Sequence, residues 1–140
     1  MRPAPVTIML YTLLVHTMAL ADDPAPSPAT VPPVILEMGA DGVQHLTMTL
    51  DSYSFKPAHV IVKAGTPVEI TLNNVSTVAP HSFVIDDPDL QVKQDVESGK
   101  SGVVKFTAAK AGTYAFFCDH KLLMFPSHRS KGMEGVLEVR

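Results

Sequence analysis

The sequence predicts an all-β domain, a sandwich or small barrel of six or seven short strands. In several segments apolar residues alternate with other residues, which places every second side chain on the same face of a strand. The 140-residue chain also has 8 glycines and 12 prolines, and from residue 34 onward they leave few segments long enough for a helix. Short strands joined by such turns are typical of β-sandwiches and small barrels.

Length and composition exclude several other classes of protein. A chain of 140 residues with a net charge of −3 is the size of one domain. With 46% hydrophobic and 18% charged residues, it is too apolar for a disordered protein. It has no run of Lys and Arg that would form the basic patch of a nucleic-acid-binding protein. Its single cysteine excludes an intramolecular disulfide.

The N-terminal residues 1–21 are predicted to be a secretory signal peptide. An apolar segment ends there in the small-x-small pattern Ala19-Leu20-Ala21, which predicts cleavage after Ala21 and export of the protein. An uncleaved membrane anchor is the alternative, but the segment is short for a span and contains polar residues. The proline-rich residues 22–33 are then an extended linker, and residues 34–140 form the domain.

In each predicted strand, apolar residues occupy every second position, and we call these positions the apolar phase of the strand. In chain order, the alternating sets are Leu46/Met48/Leu50, Val68/Ile70/Leu72, Phe83/Ile85, Val104/Phe106, Tyr114/Phe116/Cys118 and Leu137/Val139. The stretch Asp87–Ser98 has no clear period and is predicted to be a connecting loop with at most one helical turn. Because His81 shares its phase with Phe83, and Cys118 shares its phase with Phe116, we expect both side chains to point into the interior.

Residues after Cys118 complete a set of metal ligands. His128 follows Cys118 after nine intervening residues, and Met133 follows His128 after four. With His81, these residues supply two imidazoles, a thiolate and a thioether, which is the ligand set of a type 1 copper site. Zinc is less favoured, because structural zinc sites use Cys and His rather than Met. The predicted metal ligands are therefore His81, Cys118, His128 and Met133, with one copper ion as the cofactor.

Two other residues compete for these roles. His120 lies two residues after Cys118, so on a continuing strand it would share the Cys118 face and approach the metal. Met124 is the alternative axial ligand to Met133. The spacing of His128 and Met133 favours these two residues as the ligands, and it leaves His120 and Met124 as loop residues.

The domain resembles the cupredoxins, the family of type 1 blue copper proteins, over about residues 45–140. The segments that carry the resemblance are Tyr53–Pro57, Val62–Val68, Asn73–Asn74 before Pro80–Phe83, Gly112–Cys118, His128 to Met133, and Gly135–Val139. The resemblance implies a Greek-key β-sandwich or barrel of about seven or eight strands, similar to plastocyanin and azurin. It also implies that the second histidine, His128, lies near the surface and is the route by which the electron leaves.

The sequence departs from the pattern of many small cupredoxins at two points. The nine residues between Cys118 and His128 make a long ligand loop, which looks more like the type 1 site of copper nitrite reductases. Ser82 stands where an asparagine is common, and it could still donate a hydrogen bond toward the Cys118 sulfur. Both features are expected to tune the reduction potential.

These features predict a periplasmic protein that carries single electrons, rather than an enzyme, because no paired carboxylates or Ser/His/Asp order are evident. The alternative is a periplasmic carrier or resistance protein that binds copper and hands it over. A redox partner protein is expected to dock near His128 and the 121–126 loop, whose basic flanks favour an acidic partner. The apolar residues of that loop could instead fold down and shield the metal. No nucleic acid or small-molecule substrate is expected, and membrane association is expected only with an uncleaved leader.

Overall fold

The computed structural model describes residues 30–140, so the predicted leader and most of the predicted linker lie outside the described residues. In chain order the strands are β1 (Val34–Ile35), β2 (Gln44–Asp51), β3 (Ser54–Lys56), β4 (His59–Val62), β5 (Pro67–Asn74), β6 (His81–Asp87), β7 (Leu90–Val96), β8 (Ser101–Thr107), β9 (Gly112–Phe117) and β10 (Glu134–Val139). A short 3₁₀ turn spans Arg129–Lys131. Among residues 30–140, no helix is long and apolar enough to cross a membrane.

The strands form two mixed sheets that enclose the core. The larger sheet has the order β1-β4-β10-β9-β6-β7, and the smaller has the order β3-β2-β5-β8. Leu50 and Leu72 of the smaller sheet are buried in one core cluster with Phe83 and Leu137 of the larger sheet. The predicted all-β sandwich is therefore confirmed, with ten strands over residues 30–140 instead of seven or eight. Two of the additional strands, β1 and β3, are too short to show an alternation in the sequence.

The prediction of a loop over Asp87–Ser98 is wrong. Strand β6 extends to Asp87, and Leu90–Val96 forms β7, which pairs antiparallel with β6 at the edge of the larger sheet. Only the two ends of β7, Leu90 and Val96, are apolar and buried. Because an edge strand needs fewer apolar side chains than a central strand, the alternation was too weak to predict β7 from the sequence.

Three phenylalanines pack together directly beside the predicted ligands. The rings of Phe83 and Phe116 are stacked with centroids 5.0 Å apart, and the Phe55 ring meets Phe116 edge-on at 5.1 Å. Phe83 is two residues after His81, and Phe116 is two residues before Cys118, so each aromatic ring shares the inward face of a predicted ligand. His81 and Cys118 are both buried, which confirms the predicted direction of their side chains. The predicted site thus adjoins a cluster of aromatic rings in the core.

Gly135 is a packing requirement of this core, and its replacement with alanine is expected to destabilise the fold. It pairs with Phe116 across β9 and β10, and a Cβ added there would overlap the Phe116 ring and lie 2.6 Å from the Ala58 carbonyl oxygen. We expect Gly135→Ala to lower the free energy of unfolding by about 1–3 kcal/mol, as overpacking does. Gly112→Ala is the matched control, because its Cβ would meet only the Tyr114 ring at 3.6 Å. Equal urea midpoints for the two variants would contradict this account.

Candidate metal centre

Three of the four predicted ligands converge in one buried cluster. The Nδ1 atoms of His81 and His128 are 3.1 Å apart, and the Cys118 Sγ atom lies 3.8 Å from the first and 3.4 Å from the second. His81 and Cys118 are almost completely buried, and His128 is 9% exposed. Two imidazole nitrogens and one sulfur therefore face a common point, within the reach of a single metal ion.

Strand pairing brings the first two of these residues together. His81 is the first residue of β6, and Cys118 directly follows the last residue of β9. Because β6 and β9 are antiparallel neighbours, the beginning of one lies beside the end of the other. The side chains of His81 and Cys118 thus meet at one end of the larger sheet, although 36 residues separate them in the sequence.

Backbone hydrogen bonds hold His128 and Met133 against this strand end. The His128 N–H donates to the His120 carbonyl at 2.9 Å, and the Met133 N–H donates to the His128 carbonyl at 3.0 Å. The Met133 carbonyl in turn accepts from the Cys118 N–H at 3.1 Å. Gly132 directly precedes Met133 and ends the 3₁₀ turn. Its φ of +93° is a left-handed conformation that glycine adopts readily. Met133 is therefore linked through its backbone to both Cys118 and His128.

The rival residues lie outside this arrangement. The Met124 side chain is 95% exposed, whereas Met133 is completely buried. Strand β9 ends at Phe117, so the strand does not continue to His120 as the rival ligand assignment required. The His120 ring centroid lies 6.1 Å from that of His128, and its Nε2 atom faces the Asp95 carboxylate at 3.3 Å. Burial and position thus support Met133 and His128 over Met124 and His120.

The histidines of the cluster are in the protonation state that a metal requires. Burial, together with the positive charges that His128 and His120 can carry, lowers the pKa of His81 to about 4. Burial also lowers the pKa of His128 below its ordinary value. Both imidazoles are therefore neutral at pH 7 and can offer a lone pair. Neutral imidazoles beside a cysteine sulfur fit copper in both of its common oxidation states.

A hydrogen-bond network formed by Ser82, Asp119 and Lys93 adjoins the Cys118 sulfur. The Ser82 N–H donates to the Cys118 Sγ at 3.3 Å, and the Ser82 Oγ lies 3.6 Å from the same sulfur. The Ser82 hydroxyl also donates to the Asp119 carboxylate at 2.7 Å, and the Asp119 N–H donates back to Ser82 Oγ at 3.0 Å. The Lys93 ammonium closes the network at 2.6 Å from the other Asp119 oxygen. Burial alone would raise the pKa of Asp119, but its bonds to Lys93 and Ser82 keep that pKa below its usual value.

Asn74 positions the loop that precedes His81, a role that was not predicted from the sequence. Its buried side-chain amide donates to the carbonyls of Ala79 and Val96, both at 3.0 Å, and its Oδ1 accepts from the Ser76 N–H at 3.0 Å. The sequence did contain a signal for this role. Asn74 is a polar residue at the end of an otherwise apolar phase, so it had to find partners in the interior.

We expect Asn74→Ala to lower the free energy of unfolding by about 2–3 kcal/mol, because it leaves buried backbone groups without partners. Urea unfolding followed by circular dichroism measures the effect. Asn73→Ala is the matched control, since the Asn73 side chain accepts a bond from Ser101 at the surface. A loss of stability in the control as large as that in Asn74→Ala would show that the buried bonds do not matter.

The loop between Cys118 and His128 exposes its apolar residues. The side chains of Leu122, Leu123, Met124 and Phe125 are all more than half exposed, so they do not fold down over the ligand cluster. Leu122 and Phe125 line a cleft that also reaches Tyr53 and His128. The Tyr53 ring packs edge-on against the His128 ring at 5.0 Å. One predicted ligand, His128, therefore lines an open cleft beside exposed apolar side chains.

Comparison with known proteins identifies the fold. A family model described as a cupredoxin-like domain matches residues 8–133. No curated protein sequence matches the chain. Auracyanin from Roseiflexus castenholzii is 23% identical to the chain, with 69% of this chain and 96% of that chain covered and a TM-score of 0.58. Rusticyanin from Thiobacillus ferrooxidans is 24% identical, with 77% and 82% covered and a TM-score of 0.56.

A third structural relative belongs to a transport protein. The metal-binding domain of the Cu(I)-exporting P-type ATPase CopA from Streptococcus pneumoniae D39 was solved with Cu(I). It is 19% identical to the chain, with 79% of this chain and 97% of that chain covered and a TM-score of 0.59. At such identities the likeness of all three structures shows the shared fold.

Proposed function

Because the chain belongs to the cupredoxin-like domain family, we propose that it is an exported electron carrier rather than an enzyme. His81, Cys118 and His128 would hold one copper ion, and Met133 would act as a weak axial ligand. The observation that carries this proposal is the buried cluster of two Nδ1 atoms and one sulfur. When bound, copper supplies a one-electron couple between Cu(I) and Cu(II).

The protein itself would hold the ligands in fixed positions, bury most of the donor atoms and keep the imidazoles neutral. Strands β6 and β9 fix His81 and Cys118, and the backbone bonds of Met133 fix the loop that carries His128. Burial of His81 and Cys118 keeps water away from two of the three donors, and the neutral imidazoles can bind a metal without losing a proton. A site held in this way changes little in shape when its charge changes, which is what fast electron transfer requires.

The docking surface for a redox partner is proposed to be the exposed loop beside His128. Lys121 and Lys131 line the cleft beside this loop although the whole chain is acidic, whereas Arg129 is paired with Glu134 at 3.2 Å. Exposed apolar residues within a basic rim fit a partner protein that presents an apolar patch with an acidic rim. His128, the ligand nearest to this surface, gives the shortest route for the electron.

Electron self-exchange between two copies of the protein tests this surface without a known partner. We expect the Leu122→Gln/Met124→Gln variant to slow self-exchange several-fold, because it weakens the apolar contact next to His128. Val103→Gln is the control, since Val103 is exposed on β8 in the other sheet. Line broadening in mixtures of reduced and oxidised protein measures the rate. An unchanged rate in the loop variant would contradict the proposed docking surface.

A copper carrier is the second candidate, and the likeness to the ATPase metal-binding domain supports it. The two functions differ in how firmly copper is held. The loaded protein should be cycled with ascorbate and ferricyanide in the presence of bathocuproine disulfonate, a Cu(I) chelator, and its copper content measured. We expect an electron carrier to keep its copper. Rapid transfer of copper to the chelator would favour the carrier function.

Export to the periplasm belongs to the same proposal. It rests on the predicted signal peptide, residues 1–21, and the predicted proline-rich linker, residues 22–33. Metal ligation would protect the single thiol, Cys118, in an oxidising compartment. Mass spectrometry of the protein from periplasmic extract should find an N-terminus at Asp22. An intact leader in the membrane fraction would instead support an anchor.

A further inference from the structure

We propose that Asp119 holds the hydroxyl proton of Ser82 away from the Cys118 sulfur and thereby keeps the reduction potential of the site low. Lys93 supports this role by holding the Asp119 carboxylate in place. The inference rests on the proposed function, because it concerns the potential of a bound copper ion. Neither Asp119 nor Lys93 belongs to the predicted ligand set.

The Ser82 hydroxyl has a single proton to donate. Two acceptors compete for it, the Asp119 Oδ1 atom at 2.7 Å and the Cys118 Sγ atom at 3.6 Å. A short bond from a hydroxyl to a carboxylate is stronger than a long bond from a hydroxyl to sulfur. The carboxylate therefore takes the proton, and of the two Ser82 donors the sulfur keeps the backbone N–H.

Lys93 fixes the direction of the carboxylate. It lies on β7, next to β6 in the larger sheet, and its ammonium bonds to the Asp119 Oδ2 atom at 2.6 Å. With Oδ2 bound to Lys93, the other oxygen, Oδ1, is left facing Ser82. Each carboxylate oxygen thus has its own donor, and the side chain cannot turn away from Ser82 without breaking an ion pair.

Removal of the carboxylate should release the hydroxyl toward the sulfur. In Asp119→Ala the backbone N–H of residue 119 can still donate to Ser82 Oγ, so the oxygen should stay where it is. Its proton would then find the Cys118 sulfur as the nearest remaining acceptor. A hydrogen bond to the sulfur favours the reduced site, in which the sulfur is more negative, so the potential should rise.

The loss of a negative charge also raises the potential, and a second variant separates the two effects. Asp119→Asn removes the charge but keeps an oxygen that can accept from Ser82. We expect the reduction potential of Asp119→Ala to lie about 59 mV above that of Asp119→Asn. For one electron, this difference is a tenfold change in the equilibrium constant for reduction. In a Ser82→Ala background this difference should vanish, because no hydroxyl remains to be released.

Cyclic voltammetry and visible spectra of the copper-loaded full chain provide the test. The thiolate-to-copper band should move to higher energy in Asp119→Ala and stay in place in Asp119→Asn. Asp89→Ala is the matched control, because Asp89 pairs with Lys110 at 2.7 Å in a similar exposed ion pair that does not involve Ser82. Its potential and band should equal those of the wild type.

The possible outcomes separate the inference from the function on which it rests. If the wild type shows the band but Asp119→Ala and Asp119→Asn have equal potentials, the inference is wrong and the proposed function stands. If the difference between them persists in the Ser82→Ala background, the hydroxyl is not the cause, and the inference is again wrong. A wild type without a thiolate-to-copper band would overturn the proposed function and the inference together.

Discussion

Replacing Cys118 with serine is expected to abolish the intense visible colour of the Cu(II)-loaded protein and to leave the fold intact. The colour of a type 1 site comes from charge transfer between the thiolate and copper, and a serine oxygen cannot supply it. Serine is close to cysteine in size and can still accept the bond from the Ser82 N–H, so the sandwich should persist. Absorption spectra measure the band, and circular dichroism checks the fold.

His120→Ala is the matched control for this change. His120 is the histidine nearest to Cys118 in sequence, but its ring faces Asp95 and lies outside the three-donor cluster. We expect the control to retain the band with little change in intensity. A band that survives in Cys118→Ser, or disappears in His120→Ala, would refute the proposed ligand set.

Replacing Met133 with leucine is expected to raise the reduction potential and to keep the colour. The axial ligand of a type 1 site tunes its potential, and loss of the thioether removes a donor that favours the oxidised metal. The swap conserves volume, so we expect it to cost less than about 1.5 kcal/mol of stability. Voltammetry of the loaded protein measures the shift.

Met124→Leu provides the comparison for this prediction. Met124 has the same side chain in the same loop region but is 95% exposed, so its replacement should leave the potential unchanged. If Met124→Leu raises the potential and Met133→Leu does not, the axial ligand has been assigned to the wrong methionine.

Regular alternation made the strands and two of the candidate ligands predictable from the sequence. His81 and Cys118 belong to apolar phases, and a period of two dictates which way such side chains point. The resemblance to cupredoxins is confirmed by the family model that matches residues 8–133. The choice of His128 and Met133 depended on spacing alone, because the loop that carries them has no period and is shaped by individual hydrogen bonds.

Features that depend on strand register could not be predicted from the sequence. The network of Lys93, Ser82 and Asp119 joins residues 26 and 37 positions apart, and only the pairing of β7, β6 and β9 brings them together. Strand β7 was not predicted, because a strand at the edge of a sheet can contain polar residues and then shows little alternation. Whether the apolar loop is exposed could not be predicted either, because an apolar sequence does not say whether its side chains pack inward or form a binding surface.

We propose that one copper ion binds with a short bond to the Cys118 thiolate. The most direct test is the combined absorption and electron paramagnetic resonance spectrum of the protein loaded with one equivalent of Cu(II). We predict an intense thiolate-to-copper band in the visible region together with narrow copper hyperfine splitting. A pale spectrum with ordinary hyperfine splitting would contradict the claim, because copper would then be bound without the thiolate.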